Sequence, residues 1–189
     1  MLLDRALDQT ERLIAAVGSG QARLPTPCPD WDVQALVRHL AGQDLRKFLA
    51  ALRGETVDWQ APAGDLGDDW AARFRDRAAP LREAWRAADL DQEIAMPGGG
   101  RAPLRSRADQ QITELTVHGW DLAIATGQIA DLDPALAEHS LNWSRGMLRA
   151  EHRGPGKAFG HEVPVPADAP PYERMAGWFG RDPGWRPGV

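Results

Sequence analysis

The chain has 189 residues, 43% of them hydrophobic and 26% charged, which suits one ordinary domain with a real core and no disorder signature. A formal net charge of -5 excludes a nucleic-acid binder that works by bulk attraction to phosphates. The single cysteine, Cys28, excludes an internal disulfide; the N-terminal stretch lacks a leader's basic start and no apolar run approaches the ~18 residues of a membrane span, so a soluble cytoplasmic protein is expected.

Leu3, Leu7, Ile14 and Val17 recur at helical spacing and predict a first amphipathic helix over Leu2 to Val17, ended by Gly18-Ser19-Gly20. Pro25, Pro27 and Pro29 make the next stretch an extended connector. A second helix starts at Asp32, which suits the cap position, and runs to Arg53; a polar loop over Gly54 to Gly67 follows. Trp70, Phe74, Leu81 and Trp85 mark a third helix over 68–88, with Pro80 inside it expected to kink or split it. Ile94-Ala95-Met96 and Pro97 to Gly100 read as a short extended piece and a turn, with no convincing strand pair. The fourth helix spans Ser106 to Thr126 and stops at Gly127; Asp133-Pro134 opens a fifth through Leu148. Past Arg149 the chain is rich in Gly and Pro, with one short helix near Tyr172 to Phe179. The pattern predicts an all-α, up-and-down four-helix bundle with extra short helices and an irregular tail. Residues 1–150 form the bundle in this reading, and 151–189 a short extension packed on it.

Chemistry concentrates on the fourth helix. Glu114 and His118 are four residues apart, so they stack on one face and can converge on one ion at about 2.0–2.2 Å from each ligating atom. A third ligand must come from elsewhere, and His39, beside the apolar stripe of the second helix, is the best candidate. Two histidines and one carboxylate leave a coordination position open, as catalytic zinc sites do. Spacing alone leaves two blander readings standing: a solvated Glu–His helix pair, and a satisfied core histidine at 39.

Three segments share their order and spacing with one family. The first is Thr26-Pro-Cys-Pro-Asp-Trp-Asp-Val-Gln-Ala-Leu-Val-Arg-His-Leu40. The second is Glu114-Leu-Thr-Val-His-Gly-Trp-Asp-Leu-Ala-Ile-Ala-Thr-Gly127. The third is Phe159-Gly-His-Glu-Val-Pro-Val-Pro-Ala-Asp-Ala-Pro170, followed by Gly180-Arg181-Asp182-Pro183. They resemble the metal-binding domain of the mycothiol-dependent maleylpyruvate isomerase family, a DinB-like group, and especially its shorter actinobacterial members. The resemblance implies a DinB-like bundle with metal ligands at His39, Glu114 and His118. It implies zinc or another divalent metal, with mycothiol as the thiol activated at the open position. The activity implied is a thiol-using isomerase or S-transferase, whose partners are a small-molecule thiol and a small electrophile. The family's isomerase carries a larger C-terminal domain, so maleylpyruvate itself is not carried over to this shorter tail. Two alternatives stand beside this reading: a metal-dependent hydrolase, and a non-catalytic binding module with a vestigial metal site. No nucleic-acid or membrane partner is expected, and monomer and homodimer are both open.

Other residues are weighed the same way. Asp121, three residues after His118, either orients that ligand or is a packing carboxylate. Gly119 is expected to permit close helix approach, and Trp120 to pack. Asp32 reads as a cap and Trp31 as an anchor for the helix entry; Gln43, one turn past His39, is a minor candidate for the cavity. Cys28 reads as a small buried group, His139 as an exterior residue of the fifth helix, and the Arg101 to Arg107 run as a solvated loop with the capacity to steer an anion.

Overall fold

Helix α1 (Leu2–Ala15) buries Leu3, Leu7, Leu13 and Ile14 and carries acids on its outer face. Asp4, Asp8 and Glu11 there meet Arg82, Arg86 and Arg75 of α4 (Trp70–Ala87), tying the two helices along their solvent edge. The computed structural model describes residues 1–29, 31–55, 57–58, 61–95, 99–155, 157 and 159–187.

The second long helix is not uniform. Asp32 caps it through Ala35 N at 2.8 Å, and α2 (Val33–Val37) is regular. Residues Arg38–Asp44 then widen into π-helical turns before α3 (Leu45–Leu52) resumes the α form. Wide turns of this kind disturb the carbonyl ladder, and here Arg77 of α4 donates to the Ala41 carbonyl at 2.8 Å. The apolar spacing predicts plain α-helix through this stretch, and the structure departs from it.

Asp69 caps α4 through Ala72 N at 2.8 Å, and the helix runs through Pro80 without a break. The expected split does not occur. The carbonyl that Pro80 leaves without its helical donor belongs to Asp76, an exposed residue. Glu93–Ala95 (β1) and Arg101–Pro103 (β2) do pair, as a small antiparallel ribbon, where no strand pair was expected. Met96, Pro97 and Gly98 of the expected turn lie outside the described residues. So do Thr56, Trp59 and Gln60 of the polar loop, and Asp30, Gly156, Ala158, Gly188 and Val189.

Helix α5 (Arg105–Thr126) is buried nearly all round from Gln111 to Ala125 and ends on Gly127 in the left-handed conformation (φ 80°). Asp133 caps α6 (Pro134–Met147), and α7 (Pro171–Trp178) is the short last helix. Helices α1, α4, α2–α3 and α5 close a four-helix ring around one core that includes Leu36, Phe48, Phe74, Leu81 and Leu115. Helices α6 and α7 lie outside it, on the far face of α5, over a second cluster that includes Trp120, Ile124, Tyr172 and Phe179. Thus α5 is covered on both sides, and polar groups on it are held rigidly. None of the described helices is long and apolar enough to cross a membrane.

Candidate metal centre

His39 stands on the π-helical stretch of the second helix; Glu114 and His118 stand on the facing side of α5. One ligating atom from each lies within 4.8 Å of the others. Glu114 Oε2 is 3.6 Å from His118 Nε2 and 4.0 Å from His39 Nε2. A tetrahedral ion with ligands near 2.1 Å spaces them by about 3.4 Å, so the triangle is close to that size and slightly open.

The remaining nitrogens explain why both rings turn Nε2 inward. Gln43 donates its amide to the Ala61 carbonyl at 2.8 Å, which fixes the amide so that its oxygen faces His39 Nδ1 at 3.0 Å. That nitrogen must therefore carry the proton, and Nε2 keeps its lone pair. His118 Nδ1 is 3.0 Å from Asp121 Oδ2, a carboxylate oxygen that only accepts, so this nitrogen too carries a proton and turns Nε2 towards Glu114. His39 Nε2 is buried and lacks a hydrogen-bond partner among the described residues, an acceptor aimed at the centre of the triad with nothing to accept from. Burial, then the His118 ring, pushes the His39 pKa down to about 4, so its imidazole is neutral near pH 7. Two imidazoles presenting Nε2 towards a carboxylate, that of His39 without a hydrogen-bond partner among the described residues, fit a divalent cation.

Trp31 lies against both rings, with centroids 4.6 Å from His39 and 5.3 Å from His118. Its anchoring role thus extends to the site. Behind Glu114, Asp44 is 4% exposed; burial, then the Glu114 charge, pushes its carboxyl well above the ordinary range, against a smaller opposing pull from buried Lys47. The front of the triad opens on a cavity of about 600 Å³ between α5, α6 and the C-terminal segment. Its walls are largely apolar and aromatic, including Trp143, Met147, Phe159 and Phe179, with Lys157 and Arg181 as cations. Glu114 is the carboxylate among the described lining residues.

The other sequence candidates fall as follows. Asp121 is fully buried and on His118, not at the surface. Burial alone would raise its carboxyl, yet Arg181 and His118 together hold it below the usual range. Gln43 acts on His39 and not as part of the cavity wall. Cys28 is half-buried and lines the cavity, so it is less enclosed than the apolar plug expected of it. His139 is not exterior: it is partly buried, with Nε2 3.0 Å from Asp109 of α5. Of the Arg101 to Arg107 run, Ser106 lines this cavity; Arg101 turns to the Glu93 carbonyl, Arg105 to Asp91, and Arg107 bonds Gln110 without itself lining the cavity. Trp120 packs at 2% exposure. An added Cβ on Gly119 would meet Leu13 at 3.5 Å, ordinary contact, so the helix approach there does not demand glycine. Arg181 also lines the cavity and bonds Asp121, and no helical or ligand spacing in its segment points to such a role.

These elements define a class: a helical bundle with a two-histidine, one-carboxylate set at the floor of a cavity, able to hold a divalent ion. The chain belongs to the mycothiol maleylpyruvate isomerase N-terminal domain family, whose profile matches residues 3–123. The uncharacterized proteins Rv0738 and MT0763 of Mycobacterium tuberculosis are each 33% identical to it over 184 residues, 96% of this chain and 96% of theirs. A crystal structure of a mutant mycothiol-dependent maleylpyruvate isomerase shares the fold, at TM-score 0.53 and 18% identity, over 74% of this chain and 65% of that one.

Proposed function

We propose that this protein is a zinc-dependent, thiol-using enzyme of the isomerase or S-transferase type, with His39, Glu114 and His118 as the metal ligands and mycothiol as the thiol. The observation that carries the proposal is the pair of Nε2 atoms facing Glu114, each ring held by a hydrogen bond on its opposite nitrogen, at the floor of an open cavity. The family and the solved isomerase supply the thiol.

His39, Glu114 and His118 would hold the divalent ion, which when bound would supply Lewis acidity that lowers the pKa of a thiol. The protein's own groups then do three things. Gln43 and Asp121 keep the two imidazoles in the tautomer that leaves Nε2 for the ion. Trp31 shields the rings from water on one side. The cavity seats the second substrate: its apolar walls suit a small carbon skeleton, and Lys157 with Arg181 suits an electrophile that carries negative charge.

Elemental analysis of the purified protein beside His39→Ala and His118→Ala tests the centre. About one zinc per chain is expected in the wild type and loss from both variants. Conjugation of an electrophile by the zinc form, dependent on added mycothiol, is then expected. Zinc retained in both variants, or turnover that ignores the thiol, refutes the proposal.

A further inference from the structure

The Gly180-Arg181-Asp182-Pro183 segment lies outside the 3–123 family match and has no part in holding a metal by itself, yet it reaches the centre. We propose that Arg181 is a positioning residue of the metal centre: clamped on Asp121, it fixes the ring of His118 so that Nε2 faces the ion. The inference rests on the metal-centre reading above.

The local fold aims Arg181 inward. Gly180 ends α7 in the left-handed conformation (φ 78°), which turns the chain back so that Arg181 N bonds the Ala176 carbonyl at 2.9 Å. A side chain at 180 would be strained at that φ and would also stand 2.7 Å from the Gly160 backbone, so glycine is required at the turn. From there the guanidinium crosses to α5. Its Nε donates to Asp121 Oδ1 at 3.2 Å, its Nη2 to Oδ2 at 3.0 Å, and its Nη1 to the Phe179 carbonyl at 3.1 Å. Both partners are sequestered, Asp121 at 0% and the Arg181 side chain at 11% exposure.

Asp121 Oδ2 thus receives Arg181 Nη2 and His118 Nδ1 together. A two-point fork holds the carboxylate in one plane, and an ion-paired carboxylate only accepts, so His118 Nδ1 must donate. Remove the fork and the carboxylate can rotate about its own bond, releasing the His118 ring. A mere strut between α7 and α5 would make the same ion pair without any effect on His118. The two roles differ in what they do to a bound ion.

Cobalt(II), whose visible bands report ligand geometry, is the probe. The wild type, Arg181→Met, Arg181→Lys and Asp121→Asn are titrated with cobalt against a chromophoric chelator, and the melting of each metal-free form is recorded. Groups that orient ligands are typically worth 10–100-fold in metal affinity. A loss of that size with altered cobalt bands is expected in Arg181→Met and Asp121→Asn. Arg181→Lys, which keeps the charge and loses the fork, is expected to recover only part. Wild-type affinity and bands in Arg181→Met overturn the inference, even if the metal-free protein melts lower. Should Arg181→Met fail to fold, Arg181→Lys decides: wild-type affinity and bands there show the fork is unnecessary and overturn it. Wild type that binds no cobalt refutes the metal centre itself and this inference with it, whereas a cobalt-binding wild type with unaffected Arg181 variants refutes this inference alone.

Discussion

His39 sits in a place that disfavours its own charge. Burial pushes its pKa down to about 4 in the folded chain, against 6.5 for a free histidine side chain. Between those values the unfolded chain binds the proton and the folded chain does not, so stability rises with pH across this window and falls as pH drops through it. The full contribution, present above pH 6.5, is on the order of 3 kcal/mol. Asp44, raised by burial and then by Glu114, acts in the opposite sense: its contribution is present at low pH and is lost as pH rises through its folded value. The wild-type curve therefore mixes the two. Urea unfolding of the metal-free protein beside His39→Asn separates them, and the stability difference between the two proteins should grow in favour of the wild type from pH 4 to 6.5. A difference that stays flat shows that His39 is not buried as a neutral ring. Glu114 and His118 were legible as a pair from i, i+4 spacing, whereas His39 stood out only by its place beside the apolar stripe and by the family resemblance; the structure brings the three together. Gln43 and Asp121 were only half legible, since a residue that orients another carries no spacing rule of its own. Arg181 was not legible as a site residue, because an ion pair across 60 residues leaves no local pattern.

At the scale of elements, two glycines in helices make opposite demands. A Cβ on Gly177 of α7 would stand 2.6 Å from the Val163 carbonyl and 2.4 Å from Val165, where the 163–165 segment crosses the helix and Val163 N bonds the Gly177 carbonyl. Gly177→Ala should cost about 1–3 kcal/mol as that segment is pushed off. Gly119→Ala has room beside Leu13 and gains helix propensity, so it should be neutral or stabilising by up to about 1 kcal/mol. Thermal melts of the two variants check the pair, and equal effects contradict the packing described. Helix existence was readable from periodicity and two caps from Asp32 and Asp133, whereas the Asp69 cap of the third helix emerges only from the structure. The π-helical stretch was not readable, because an inserted turn keeps an apolar pattern nearly intact; what sustains it, Arg77 on the Ala41 carbonyl, comes from another helix. Nor was the β1–β2 ribbon, since three-residue strands are too short for alternation to register.

Across the whole molecule, the proposed ion would bridge the second helix and α5, two elements of the four-helix ring. A ligand that binds only the folded chain stabilises it by about 2.7 kcal/mol at one hundred times its dissociation constant. For a chain of this size that is about 5–11 °C in melting temperature. Zinc at that ratio should raise the melting point by this amount over chelator-treated protein, and His118→Ala should abolish the rise. An equal rise in the variant places the ion elsewhere. The bundle was foreseeable at this scale because long amphipathic helices have few ways to cover their apolar faces. The covering of the outer face of α5 by α6 and α7 was less so, because that face reads as apolar whichever elements pack on it.

Chain order turns the Asp121–Arg181 pair into a matter of time. During synthesis His39 emerges first, then Glu114, His118 and Asp121, and Arg181 follows 60 residues later. At about 5–20 residues per second that interval lasts some 3–12 s. Through it the nascent chain already displays every candidate ligand, while the group that steadies His118 has not yet been made. An ion captured in that interval would meet its ligands before Arg181 has reached Asp121.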